Sequence, residues 1–153
     1  MKKMAGTFQV TENWEIKTVD LEGNVLAYEK VCNLLTNAGL NIIRDLLGGL
    51  NSQGAMQAIA IGTGATAPVN GDTTLQTEYV RSSATITSPA DYQVRFAHTF
   101  SFGSGVSETI TEAGILDNAI SGGRLLSRTT FTGQLVSSSV QLIITATYTI
   151  ARA

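Results

Sequence analysis

The chain has 153 residues, enough for one domain with a real core, and 43% of them are hydrophobic, within the globular range. Only 14% are charged and the net charge is −2, which excludes the basic footprint of a nucleic-acid binder. So little charge, beside abundant Thr, Ser and Gly, points to strands joined by turns, with part of the surface covered by partners rather than water.

The most densely charged stretch is residues 1–30, which hold Lys2, Lys3, Glu12, Glu15, Lys17, Asp20, Glu22, Glu29 and Lys30. Met1 to Gly6 carry no pattern and read as an arm. Residues 7–31 read as a β-hairpin. Trp14, Ile16 and Thr18 alternate with Glu15 and Lys17, Leu21-Glu22-Gly23-Asn24 supplies the turn, and Val25-Leu26-Ala27-Tyr28 returns. No apolar h-region follows Lys2-Lys3, so no secretory signal is expected, and no apolar run approaches membrane-spanning length. Synthesis and assembly in a cytoplasm are the expectation. Cys32 is the single cysteine, which rules out an intrachain disulfide, and its apolar neighbours suggest a buried structural thiol.

Residues 36–47 read as the one helix. Thr36 or Asn37 suits its N-cap, and Leu40, Ile43 and Leu47 fall at helical spacing with Ile42 and Leu46 widening the stripe. Gly48-Gly49 stops it, and Arg44 and Asp45 are expected to face solvent. Ala58-Ile59-Ala60-Ile61 reads as a short buried strand leaving through the loop Gly62 to Pro68. Asp72 to Glu78 reads as a helical turn capped by Asp72, and Ala84 to Thr87 as a weak strand closed by Ser88-Pro89.

The second half is more regular. Over residues 91–102, Tyr92, Val94, Phe96, His98, Phe100 and Phe102 share one face in uninterrupted period 2. Gly103-Ser104-Gly105 turns the chain, and Ile110 to Leu116 and Arg124 to Phe131 form the next strands. Gly133 to Ser138 reads as a turn region. The last strand sets Val140, Leu142, Ile144, Ala146, Tyr148 and Ile150 against a Thr-rich face suited to cross-strand pairing or to a neighbouring subunit. The pattern predicts an all-β fold: an antiparallel sandwich or jelly-roll-like barrel with one short helix. Residues 1–153 form a single β-rich domain, with 1–30 as an arm and hairpin and 31–153 as the β core.

Three features resemble chemistry and are better read as structure. Gly62-Thr63-Gly64 follows a strand as a phosphate loop would, but Pro68 follows, no βαβ unit surrounds it and no Gly-Lys-Ser/Thr is present. His98 is the only histidine, and neither a nucleophile with an orienting partner nor further metal ligands accompany it. Glu108, Glu112 and Asp117 form a loose acidic group without calcium-loop spacing or substrate-stacking aromatics. Glu112 or Thr111 is expected to hydrogen-bond backbone at a turn. The pattern therefore assigns no catalytic residue, cofactor or metal ion. Arg81, Arg95, Arg124 and Arg128 are expected in salt bridges or subunit contacts.

The order of short motifs adds a resemblance. Asn33-Leu34-Leu35-Thr36-Asn37-Ala38-Gly39 precedes Ile59-Ala60-Ile61-Gly62-Thr63-Gly64 with Pro68, then Leu75-Gln76-Thr77-Glu78 with Arg81. Ile110-Thr111-Glu112-Ala113-Gly114-Ile115 and Leu125-Leu126-Ser127-Arg128-Thr129-Thr130-Phe131 complete it. Over roughly residues 30–150 the chain resembles small virion structural proteins of tailed bacteriophages. These include head decoration (cement) proteins and tail-fibre or baseplate components. The resemblance implies a β-rich virion part without catalysis. A tail fibre draws length from repeats or a trimeric shaft, and this sequence has neither, so the decoration role on the capsid surface is the leading expectation. Its partner would be the major capsid protein lattice (alternatively tail proteins). Homo-oligomers are expected, trimers at local threefold axes being a natural choice, with no nucleic-acid or membrane partner. Trp14, Ile16, Tyr28, Arg95, His98 and Arg128 are the expected interface residues, and residues 1–30 the part that touches the shell.

Overall fold

Alternating β-branched and polar residues favour strands, and the computed structural model, which describes residues 6–153, contains ten strands and one helix among those residues. In chain order they are β1 (Phe8–Asp20), β2 (Val25–Val31), β3 (Leu34–Leu35), α1 (Asn37–Gly48), β4 (Ala58–Gly62), β5 (Glu78–Ser83), β6 (Thr85–Thr87), β7 (Gln93–Phe100), β8 (Ser107–Leu116), β9 (Leu125–Ser137) and β10 (Val140–Arg152). The expected arm, apart from Gly6, lies outside the described residues.

All the ladders are antiparallel and fall into two layers. One runs β2-β1-β10-β7-β6, the other β3-β9-β8-β4-β5. They join at the β9–β10 hairpin, where Ser137 pairs with Val140. The core lies between them: Trp14, Phe96 and Ile144 from the first layer meet Ile59, Ile115 and Val136 from the second. The sheet does not close into a barrel, so the fold is the sandwich and not the jelly-roll-like barrel. The first hairpin is not an appendage. β1 pairs with β10 from Phe8↔Arg152 to Asp20↔Val140, and Trp14 and Ile16 are buried in the shared core.

β4 is buried on both faces. Ile59 and Ile61 enter the main core, while Ala60 packs with Leu75, Leu116 and Leu125 beneath the loop of residues 63–77. That loop contains no helical turn at Asp72 to Glu78. Asp72 instead accepts from Val69 N (3.0 Å) and from Arg128, and Glu78 opens β5. The expected turn at Gly133 to Ser138 is also strand: β9 continues to Ser137, and only Ser138-Ser139 turn the chain.

The helix has its expected ends. The Thr36 hydroxyl accepts from Gly39 N at 2.9 Å, and Gly49 takes the left-handed conformation at φ 61°. Its buried face differs from the expected stripe: it comprises Gly39, Ile42 and Asp45, while Leu40 and Leu47 are exposed. Close approach is the cause. The Thr36 hydroxyl also donates to Leu125 O at 2.8 Å, and a Cβ on Gly39 would lie 2.0 Å from Leu126 O. The helix docks on β9 through its glycine, which rotates two leucines outward.

Asp45 therefore does not face solvent as expected. It is buried between Arg44 (2.6 Å), Arg124 (2.9 Å) and Asn51 (3.1 Å). Hydrogen bonds from Asn51 and Arg44, with Arg124 adding to them, hold its carboxyl down to about 2 despite burial.

Candidate interaction surfaces

The loop that imitates a phosphate-binding turn does bind an anion, and the anion is the chain's own Glu112. Its Oε1 accepts from Gly64 N (3.1 Å) and Thr77 N (2.7 Å), and its Oε2 from Gln76 N (3.0 Å) and Arg128 Nε (2.8 Å). Glycine is required at both ends of the turn, because a Cβ on Gly62 or Gly64 would lie 2.6 or 2.5 Å from that carboxylate. Arg128 completes the knot by donating to Asp72 (2.9 Å) and to Thr66 O (2.8 Å). Thr111 donates to Gly64 O at 2.8 Å. Thr111 and Glu112 thus both bond backbone as expected, although from the middle of β8 rather than at a turn.

The expected acidic group does not assemble. Glu112 is enclosed by this knot, while Asp117 accepts from Arg124 N (2.6 Å) and Gln53 Nε2 (2.9 Å) beyond the end of β8. Among the described residues no group of three metal-ligating side chains gathers.

The six expected interface residues separate into two sets. Trp14, Ile16 and Arg128 are buried inside the chain, so their side chains offer no surface to a partner. Tryptophan and isoleucine follow the inward phase of β1, and Arg128 is enclosed by its two carboxylates. Tyr28, Arg95 and His98 keep accessible surface. Tyr28 donates to Glu15 across the first hairpin at 2.5 Å. Arg95 lies on the outer face of β7 and donates to Thr147 at 3.2 Å, beside Gln93 and Thr149. His98 lies opposite Ile144 with its ring 4.5 Å from that of Phe100. The other arginines are engaged internally: Arg81 pairs with Glu78 at 2.6 Å, and Arg124 with Asp45.

Three buried polar atoms are incompletely paired: among the described residues Glu12 Oε2, Trp14 Nε1 and Asn33 Nδ2 make no hydrogen bond of good geometry. Trp14 and Asn33 face the Tyr148 hydroxyl, which pairs with Ser127 Oγ, and Glu12 lies close enough for its charge to act on that hydroxyl. Burial pushes the Glu12 carboxyl up to about 7. Burial, reinforced by the charge of Glu12, raises the Tyr148 hydroxyl well above its ordinary value.

Two exposed apolar surfaces escaped the sequence pattern. The first is a groove of about 490 Å³ between α1 and the open end of the first layer, lined by Val10, Ile43, Leu47, Ile86, Val94 and Ile150. It continues past Phe8 toward Leu40 and Leu50 on one side and toward Tyr92 and Arg152 on the other. The second is the tip of the first hairpin, where Leu21, Val25 and Leu26 are more than half exposed. Asp20 shapes that tip by accepting from Glu22 N (3.0 Å) and Asn24 N (2.8 Å), and Gly23 supplies φ 88°. The outward rotation of Leu40 and Leu47 was invisible in the sequence, because it depends on how Gly39 meets β9. The tip carried a signal: Leu21 opens the four-residue connection Leu21 to Asn24 and Val25 and Leu26 follow it, where a tight turn leaves no room to bury them.

Comparison with known proteins finds no family model, no curated protein and no solved structure that matches the chain.

Proposed function

We propose that this chain is a non-enzymatic structural protein of a tailed-phage virion, most specifically a decoration (cement) protein bound on the assembled head. The observation that carries the reading is apolar surface exposed at both ends of one sandwich in a chain of low charge. Monomers seldom leave contiguous apolar patches beyond a few hundred Å² in water, so such surfaces belong against partners. The motif order described above narrows the partner to a virion. The outer face of β10 and β7, with Thr145, Thr147 and Thr149 beside Arg95, carries little charge and is suited to lie on a shell of subunits. A protein that binds the assembled lattice but not its free subunits stabilises the lattice by mass action.

The test is co-sedimentation with emptied heads and with unassembled shell protein, together with copy number in purified particles. Binding to heads alone, near one copy per shell subunit, is the expected result. A few copies per particle would instead make the protein a tail-fibre or baseplate component and move its role toward host attachment.

A further inference from the structure

The groove and the hairpin tip lie at opposite ends of one strand. β1 begins at Phe8, which lines the groove, and ends at Asp20, which shapes the tip. At about 3.3 Å per residue the two ends are about 40 Å apart, so they cannot meet within one chain. We propose that the hairpin tip of one copy seats in the α1 groove of the next, giving head-to-tail self-association of this protein.

Charge and area both favour a second copy as the occupant. Among the described residues no acid lines the groove or its extensions, whose charged residues are Arg152 and Arg44, the latter also paired with Asp45 behind it. The tip carries the opposite sign, with Asp20 and exposed Glu22 beside Leu21, Val25 and Leu26. At the groove, Phe8, Leu40, Leu47, Leu50, Tyr92 and Ile150 are each about half exposed or more. Together they leave on the order of 600 Å² of apolar surface in water, and the four apolar side chains of the tip, Tyr28 included, on the order of 400 Å². Fully covered, the two patches together reach the roughly 1,000 Å² at which a specific interface begins. An interface of this size is weak between free molecules and strengthens when copies are held side by side on a common surface. Because the two patches differ, the contact is heterologous and runs to rings or open chains rather than stopping at a twofold dimer.

This contact is one that the purified chain makes with itself, so it stands or falls apart from the capsid reading. Sedimentation analysis from micromolar to millimolar concentration, without particles, tests it. The wild-type chain is expected to show mass rising past the dimer with concentration. Leu26→Asp at the tip and Leu47→Asp in the groove alter exposed side chains, and circular dichroism checks that both variants fold. Each variant alone should remain monomeric, because each lacks one half of the contact. Mixed in equal amounts they should form a dimer and nothing larger, since one intact tip meets one intact groove.

Any one of three results overturns the proposal. A wild-type chain that is monomeric throughout does so, even if it binds purified shells. Leu26→Asp associating like wild type would mean groove-to-groove pairing. Leu47→Asp associating like wild type would mean tip-to-tip pairing.

Discussion

Arg128 and Glu112 are diagonal neighbours on β9 and β8, 2.8 Å apart, with 2% and 0% of their side chains exposed. Their pairing ties the second layer to the loop that covers it, because every remaining bond of the two groups goes to residues 64–77. Removing one partner strands a buried charge. Arg128→Met or Glu112→Leu is expected to cost about 3–5 kcal/mol, while the double variant loses clearly less than the two together. Urea unfolding of the three variants measures this. Additive losses would show that the two groups act independently.

Gly39 sets how α1 meets β9. A methyl group there would lie 2.0 Å from the Leu126 carbonyl oxygen, and backbone cannot yield as a side-chain tip can. Gly39→Ala is expected to cost at least about 2 kcal/mol, which lowers the melting temperature by roughly 4–8 °C in a chain of this length. Gly54→Ala, with nothing near its Cβ and no positive φ, is the control and should leave the melting temperature within about 2 °C. A Gly39→Ala melting temperature as little changed as that of the control would show that the helix yields at this contact without cost.

The strands were largely legible because their information is local. β10 alternates without a break, and its inward set, from Leu142 to Tyr148, is the set that enters the core. The ends of α1 were legible for the same reason, through Thr36 and Gly49. Its orientation was not, because the decisive contact is with Leu126, far along the chain. Asp45 illustrates the consequence: its position on the helix looks exposed, and only the approach of Arg124 and Asn51 makes burial tolerable. Glu112 was expected to bond backbone and does, but its burial was hidden for the same reason, since its donors come from a loop whose path the local pattern does not set. Of the expected interface residues, Trp14 and Ile16 carried an inward phase that alternation alone gave away. The groove could be recognised only once Phe8, Leu47 and Ile150 were brought together by strand pairing and helix docking.

Glu12 gives the fold a pH dependence. Its carboxyl holds a proton up to about 7 in the folded chain, against an ordinary value of 4.5. Between those values the native state binds more protons than the unfolded state, so stability falls as pH rises. The contribution is complete below about 4.5, lost progressively toward 7, and flat above that. Its full size is on the order of 3 kcal/mol. Glu12→Gln keeps the shape of the side chain, removes the titration and should unfold at the same urea concentration at pH about 5 and about 8. The wild-type midpoint should fall over that interval. A wild-type midpoint that rises, or a variant that keeps the slope, would place the dependence on another group.

Cys32 departs from the buried thiol that its apolar neighbours suggest. It directly follows β2, whose last residue, Val31, pairs with buried Trp14, and the next residue points the other way. The Cys32 carbonyl is anchored by the Thr129 hydroxyl at 2.9 Å, while the residue itself is exposed. A maleimide should therefore label the native protein with one equivalent, and denaturant should accelerate the reaction only a few-fold. Reaction that begins only on unfolding would mean that the segment between β2 and β3 folds over the thiol. Labelling in the native state also provides a way to count copies, because Cys32 is the chain's single cysteine. If the chain is found in particles, as proposed above, protection of that thiol there with full labelling of the purified chain would place the first hairpin against a partner.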